Sequence, residues 1–241
     1  MKNILLLALA CLPFTTSLFA QDAPTPKEIG EAYVEAIGGA EAWLNIQDMT
    51  MTGSSAMQGM EFPVTVTTKA GDKMRVDVDV QGKKIIQAYD GQQAWQVMPF
   101  AGINEPTAMT KEESADFADT PFLNEFINTA ERGYVLEAVE GKEFEGTQTL
   151  GVRVTHQQTG SDRTYYFDPE YMVPVAMVAT MKGGQMKGME MTTLMSDYTE
   201  VEGGLIVPMF MNSQVNGQTI QTIKFKEAKF NTGVEDSVFG M

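Results

Sequence analysis

The sequence is poor in the residues that carry most protein chemistry. Among its 241 residues it has one cysteine, Cys11, and one histidine, His156. A single histidine excludes a two-histidine zinc site or a metalloprotease motif within one chain. No Gly-x-Ser-x-Gly elbow, phosphate-binding Walker loop or dinucleotide fingerprint occurs, so the common nucleophilic and nucleotide-dependent enzymes lack a foothold. Basic residues are also scarce, 17 Lys and Arg against 32 Asp and Glu, for a formal net charge of −15. Such a field repels nucleic acid and anionic lipid surfaces, which excludes nucleic-acid binding. It favours solubility and suits steering toward a basic mouth on a partner protein. Outside the first twenty residues no apolar run is long enough to span a bilayer.

Those first residues read as an export signal. Met1-Lys2-Asn3 gives a short positive start, Ile4 to Phe19 is apolar, and Phe19-Ala20-Gln21 places a small residue before a polar, acidic continuation. Residues 1–20 are therefore expected to be a signal peptide and 21–241 one exported periplasmic domain. Cys11 as the acylated residue of a lipoprotein is the rival reading, but Ala8-Leu9-Ala10-Cys11 lacks the aliphatic residue such a site favours. Cleavage removes the only thiol, so the mature chain is stabilised by an ordinary core without disulfides.

Along the mature chain, Thr25-Pro26-Lys27-Glu28 carries an N-cap, a proline at the first helical position and a capping-box glutamate. Ile29, Tyr33, Ala36 and Ile37 recur at helical spacing, and Gly38-Gly39 ends the run. A short second turn, Ala40 to Leu44, tucks Trp43 inward. From Ile46 onward the pattern is strands and tight turns. Met74, Val76, Val78 and Val80 alternate with Arg75, Asp77 and Asp79, and turn pairs such as Gln81-Gly82, Asp90-Gly91 and Asn216-Gly217 follow at hairpin spacing. The expectation is a mainly β protein: an antiparallel meander of about eleven strands that curls on itself. Residues 99–133 interrupt it. Thr110-Lys111-Glu112-Glu113 is a second capping box, and Thr120-Pro121 introduces a helix whose apolar face is Phe122, Leu123, Phe126, Ile127 and Ala130. Helices inserted in a meander must cover something, either one end of a filled barrel or the roof of a cavity.

The distinctive component is methionine, 18 residues, with a dense group between Met172 and Met211. By strand alternation Met177 and Met181 share a face on one strand, Met189, Met191 and Met195 on the next, and Met209 and Met211 on the one after. Long, unbranched, polarizable side chains fill spaces of changing shape and suit apolar ligands of variable form. An ordinary Met-rich core is the plain alternative. A Cu(I) site at Met186, Met189 and Met191 is the other, but Met186 has the wrong strand parity and no His or Cys accompanies it. No metal and no cofactor is expected. His156, on a strand face with Val152 and Val154, reads as a structural histidine, and Asp77 and Asp79 as the wet side of a sheet rather than paired catalytic carboxylates. No enzymatic activity is expected.

Several local patterns together resemble the periplasmic outer-membrane lipoprotein-sorting family, the LolA/LolB-like carriers, in the version found in Bacteroidetes-type bacteria. They are Gly38-Gly39-x-x-x-Trp43, Lys73-Met74-Arg75-Val76-Asp77, Ala88-Tyr89-Asp90-Gly91 followed by Trp95, and Pro99-Phe100-x-Gly102. Further on come Tyr166-Phe167-Asp168, Ser196-Asp197-Tyr198, Gly204-Leu205-Ile206-x-Pro208 and Asp236-Ser237-x-Phe239. The resemblance implies an unclosed antiparallel barrel with an N-terminal helix and a helical lid over an apolar chamber. The chamber would take lipoprotein acyl chains or lipid, passed from an inner-membrane donor toward an outer-membrane acceptor in the manner of a chaperone. Met177, Met181, Met189, Met191, Met195, Met209, Met211 and Trp95 are the expected lining, with Phe122 and Phe126 facing it from the lid. The family also implies a lid-latching arginine on an early strand, where Lys73 and Arg75 are the candidates and Arg75 the choice. The alternation sets Arg75 on the polar face, at odds with that role. A Met-lined metal module and a sensor with a filled barrel are the alternative functions.

Overall fold

The computed structural model describes residues 23–241 except Gln58; the expected signal peptide lies outside the described residues. The chain enters through helix α1 (Pro26–Ala36). The capping box forms as the sequence indicates: the Glu28 amide donates to Thr25 Oγ1 at 3.3 Å, and the Thr25 amide donates to Glu28 Oε2 at 2.8 Å. Gly38 ends the helix at φ +108°, where a side chain would strike the Gly204 carbonyl oxygen, 2.6 Å from the Cβ position. A short α2 (Ala40–Leu44) follows.

A meander of six strands comes next: β1 (Asp48–Met57), β2 (Met60–Lys69), β3 (Lys73–Val80), β4 (Lys83–Tyr89), β5 (Ala94–Met98) and β6 (Ile103–Ala108). The chain then crosses through residues 109–133, which include the short α3 (Ala115–Ala118), to β7 (Tyr134–Val139). A small hairpin, β8 (Glu143–Phe144) and β9 (Thr147–Gln148), leads to β10 (Leu150–His156) and β11 (Asp162–Phe167). The remaining strands are β12 (Pro174–Thr180), β13 (Glu190–Glu200), β14 (Ile206–Val215) and β15 (Gln218–Phe230). At the β14–β15 turn Asn216 and Gly217 have φ of +53° and +73°, the conformation that tight hairpins demand.

Thirteen of these strands form one antiparallel sheet in the order β6-β5-β4-β3-β2-β1-β15-β14-β13-β12-β11-β10-β7. The count exceeds the expected eleven, and β6 falls within residues 99–133, the stretch read as interrupting the meander. The two edge strands, β6 and β7, do not pair with each other, so the barrel is unclosed, as expected.

Each face is covered differently. On the inner face, α1 contributes Ile29, Tyr33, Val34 and Ile37 to a core with Phe126, Val152, Tyr165 and Phe167. Trp43 of α2 joins a second inner cluster with Met51, Val207 and Phe225, and its indole N–H donates to the Ile37 carbonyl at 2.9 Å. The outer face of β2–β5 lies under the C-terminal segment. Asp48 accepts hydrogen bonds from the amides of Thr232, Gly233 and Val234. Asp236 is held by Lys69 and Lys73, each at 2.7 Å, and those ammonium groups lower its carboxyl to about 2. Phe239 is fully buried.

Candidate functional site

The inner-face methionines are positioned by strand pairing. Met177 on β12 lies opposite Thr193 on β13, and Met195 on β13 opposite Met211 on β14. Met191 pairs with Ala179 on one side and Val215 on the other. Directly opposed residues of an antiparallel pair share a face, so these methionines look the same way as Met177, which packs against the α1 core. Met209 and Met211 border the Trp43 cluster. All five are half-buried. Met181 and Met189 lie in the β12–β13 connection, joined by the Met181 amide donating to the Met189 carbonyl at 2.9 Å. Met189 is 43% exposed.

The sequence reading missed the other half of this surface. Met51 on β1 opposes Val66 on β2 and is buried, and Met49 and Met74 flank Thr68 in the rung beside it. The signal was present in the alternation Met49-Thr50-Met51, outside the dense methionine group.

Residues 109–133 form a strap over the inner face. Met109 and Phe117 pack with Tyr89 and Ala94, at the β4–β5 flank. Asp116 accepts from the Lys182 and Gly183 amides at 2.7 and 3.1 Å, on the β12 flank. The strap therefore ties together the two sides of the open sheet. Its second half was expected to be a helix beginning at Thr120-Pro121 and ending at Gly133, and is instead a series of turns. Asn128 sits at φ +50°, the Asn124 side chain takes the Phe126 amide at 2.9 Å, and Arg132 binds the carbonyls of Leu123, Asn124 and Ile127. Side-chain competition for the backbone thus replaces the helical ladder. The capping box of Thr110 and Glu113 does form.

Phe126 is the strap's anchor. Its ring meets Tyr33, Tyr165 and Phe167 edge-on at centroid distances of 5.5, 5.2 and 5.4 Å. Beside it Glu125, buried, bonds both the Arg163 guanidinium and the Tyr165 hydroxyl. Arg163 reaches on to the Asp119 carbonyl and carboxylate. Burial alone would lower the Arg163 pKa, but Glu125 and Asp119 outweigh it and the net direction is upward. Burial and the Glu125 charge together push the Tyr165 hydroxyl well up, so it stays a neutral donor.

The structure does not bring all the expected residues together. Phe126 and Met177 share one cluster, but Trp95 is on the outer face, its indole N–H donating to the Phe239 carbonyl at 2.7 Å. Arg75 lies over the Trp95 ring and binds Asp77 and the Val238 carbonyl, so it ties down the C-terminal segment, not the strap. The arginine bonded to the strap is Arg163, through Glu125 and Asp119, where Arg75 was the expected choice. Nothing in local sequence pairs Arg163 with Glu125, 38 residues away. Phe122 is half-buried in the strap, its amide donating to Asp72 Oδ1 at 2.8 Å. His156 Nδ1 takes the Thr159 amide at 3.2 Å within its own turn. Among the described residues no group of three His, Cys, Asp or Glu side chains is placed to hold a metal.

Two clefts flank the strap. One, of about 690 Å³, runs between α1 and residues 126–136 and has Gly30, Val34, Phe126, Ile127 and Leu136 in its walls. The other, of about 810 Å³, is more polar and is bordered by Tyr89, Ser114, Asp119, His156 and Lys182. Neither is lined by the seven methionines named from the sequence. Phe126 belongs both to the first cleft and to the core that reaches Met177. Among the described residues no helix is long and apolar enough to cross a membrane.

Neither the family models nor the curated proteins contain a match to this chain. Solved structures do match. An outer membrane lipoprotein-sorting protein domain from Vibrio parahaemolyticus superposes with a TM-score of 0.57 at 13% identity, covering 89% of this chain and 96% of that one. A LolA-superfamily protein from Nitrosomonas europaea gives 0.56 at 10% identity, over 91% and 99%. A DUF1329-family protein from Desulfovibrio piger gives 0.56 at 13%, over 90% and 98%. At such identities the likeness concerns the backbone and not the ligand. The chain has the LolA-like fold: one large, unclosed antiparallel sheet wrapped around an N-terminal helix.

Proposed function

We propose that the protein is an exported periplasmic carrier that binds the acyl chains of lipoproteins or lipids and delivers them toward the outer membrane. Residues 21–241 would act as one binding domain. The observation that carries this reading is the placement of Met177, Met191, Met195, Met209 and Met211 on the inner face of an open sheet, beneath a strap held by a buried ion pair. Flexible thioether side chains keep such a face usable both empty and filled. The fold is shared with an outer membrane lipoprotein-sorting domain, and that is in keeping with the same ligand class.

The mechanism needs no covalent chemistry. Each methylene buried against the methionines contributes about 0.8 kcal/mol, so ten of them give about 8 kcal/mol. Admitting the chain requires the strap to move, which parts Arg163 from Glu125 and gives up the edge-on contacts of Phe126 with Tyr33, Tyr165 and Phe167. That cost leaves net affinity modest enough for release to an acceptor. The seam between α1 and the strap, where Phe126 separates the cleft from the Met177 side, is the proposed entrance. A donor in the inner membrane and an acceptor in the outer membrane would complete the route.

A filled barrel acting through its surface is the second reading. It is favoured by one observation, that neither cleft reaches the methionines. Native mass spectrometry of protein purified from its own periplasm separates the two. The carrier reading expects an adduct of acyl-lipid or lipopeptide mass that is lost on solvent extraction. Protein of bare mass only, before and after incubation with lipid, contradicts it.

A further inference from the structure

The methionine face is not uniformly apolar. One rung crosses it with polar side chains: Thr193 on β13 lies opposite Ser213 on β14, and Ser213 opposite Gln221 on β15. The Gln221 amide donates to Ser55 Oγ on β1 at 3.0 Å. Methionine-bearing rungs lie on both sides, Met191 with Val215 above and Met195 with Met211 below. Ser55 and Thr193 are 0% and 3% exposed, positions where a folding core alone would favour an aliphatic side chain.

These groups are rich in donors. Among the described residues only the Thr68 hydroxyl is both sealed and unpartnered. The hydroxyls of Thr193 and Ser213, which no described group hydrogen-bonds, therefore keep access to the concavity. Gln221 uses one amide hydrogen on Ser55 and retains a second. The face also lacks a counter-charge: from β12 across to β3, every described residue turned to it in the paired stretches is apolar or uncharged. Arg163 on the neighbouring β11 is taken up by Glu125 and Asp119.

We infer that Thr193, Ser213 and Gln221 form a subsite for the carbonyl oxygen of an ester- or amide-linked acyl chain, and that the same face turns away free fatty acid. The inference rests on the acyl-chain reading above and adds its chemistry. A carbonyl is a pure acceptor and meets donors halfway along an apolar strip, with chain on either side of it. A carboxylate would lose its hydration there without gaining a cation. Neutral linkage is therefore the feature selected.

The test is displacement of the fluorescent probe N-phenylnaphthylamine from the full chain by three ligands of equal chain length. They are monopalmitoylglycerol, the hexadecylglycerol ether that lacks only the carbonyl, and palmitate in mildly alkaline buffer. The ester should displace the probe at about tenfold lower concentration than the ether, the effect of about one hydrogen bond. Palmitate should be weaker than both. In Thr193→Val plus Ser213→Ala, which removes two unpartnered hydroxyls, the ester should fall to within about twofold of the ether while the ether is unchanged. Gln221→Met should act in the same direction. Equal displacement by ester and ether in the wild type, or a preference that survives in both variants, overturns the subsite while leaving an acyl-binding face in place. Palmitate binding as tightly as the ester overturns the selection of neutral linkage. If no ligand displaces the probe, the carrier reading falls and takes the subsite with it.

Discussion

Arg163 on β11 and Glu125 on the strap face each other as an ion pair whose side chains are 10% and 5% exposed. Tyr165 donates to the same carboxylate, so the buried charge of the strap is met by a cation and a neutral donor. A buried pair of this kind adds little net stability against an apolar replacement, but breaking one partner is costly because the other is left charged and dry. This makes it a suitable latch: closed it is specific, and open it must be resolvated.

Arg163→Ala should therefore loosen the strap more than the sheet. Hydrogen exchange at the amides of residues 120–132 is expected to speed up about a hundredfold, the equivalent of about 3 kcal/mol, with β1, β14 and β15 little changed. Arg75→Ala should leave strap exchange unaltered, because Arg75 binds the C-terminal segment. Strap protection in Arg163→Ala equal to wild type would argue for a fixed plug.

Gly30→Ala reverses the usual helix rule. Alanine in a helix interior ordinarily gains about 1 kcal/mol over glycine. Here the added Cβ would lie 2.8 Å from Phe126 Cδ1, and that ring is confined by Tyr33, Tyr165 and Phe167. A net loss of about 1–3 kcal/mol is expected in chemical denaturation, relieved in part by Phe126→Leu. A stabilised Gly30→Ala would mean that Phe126 is free to swing away.

Asp48 fastens the C-terminal segment through three amides and the Thr232 hydroxyl. Burial alone would raise its carboxyl, but the hydrogen bonds from Thr232, Val234 and Gly233 outweigh that and lower it. A carboxyl depressed by folding stabilises above its unfolded pKa of about 3.9, and the contribution is lost as pH falls through the folded value. Asp48→Ala should lose about 2 kcal/mol at neutral pH, seen as a Tm about 4–8 °C lower. The gap to wild type should shrink below about pH 4. A gap that does not change with pH would remove the carboxylate from the explanation.

Thr68 presents the opposite case. Its hydroxyl is sealed and unpartnered in a rung with Met49 and Met74. A buried hydroxyl without a partner costs about 1–3 kcal/mol, and valine has nearly the same shape. Thr68→Val should raise the Tm by about 2–4 °C in a thermal melt. A lowered Tm would point to an ordered water on that hydroxyl.

The parts of this architecture that depend on neighbours along the chain are legible in the sequence itself. Thr25 and Glu28 announce α1, Asn216-Gly217 announces a hairpin, and the two-residue period puts Met191, Met195 and Met211 on one face. What the sequence hides depends on chain returning from far away. The alternation correctly groups Arg75 with Asp77, but only the C-terminal segment shows why that outer face is half-buried and why Trp95 lies beneath it. The strap carries a helical apolar pattern, and Asn124, Asn128 and Arg132 divert its backbone into turns. Arg163 and Glu125 have no local signature at all, because an ion pair across the sheet leaves no periodicity.

The central claim is that the inner methionine face receives an acyl chain. An equilibrium titration with a fluorescent long-chain acyl ester tests it, in wild type, Met195→Glu and Asp79→Asn, with thermal melts confirming that each is folded. Met195 opposes Met211 on the inner face, whereas Asp79 is on the outer face and accepts the Gly82 amide at 2.9 Å. Wild type and Asp79→Asn should bind saturably with the same affinity, and Met195→Glu should bind at least about a hundredfold more weakly, because its carboxylate would be buried beside the chain without a partner. Undiminished binding by Met195→Glu, or no saturable binding by wild type even when Arg163→Ala has released the strap, would contradict the account.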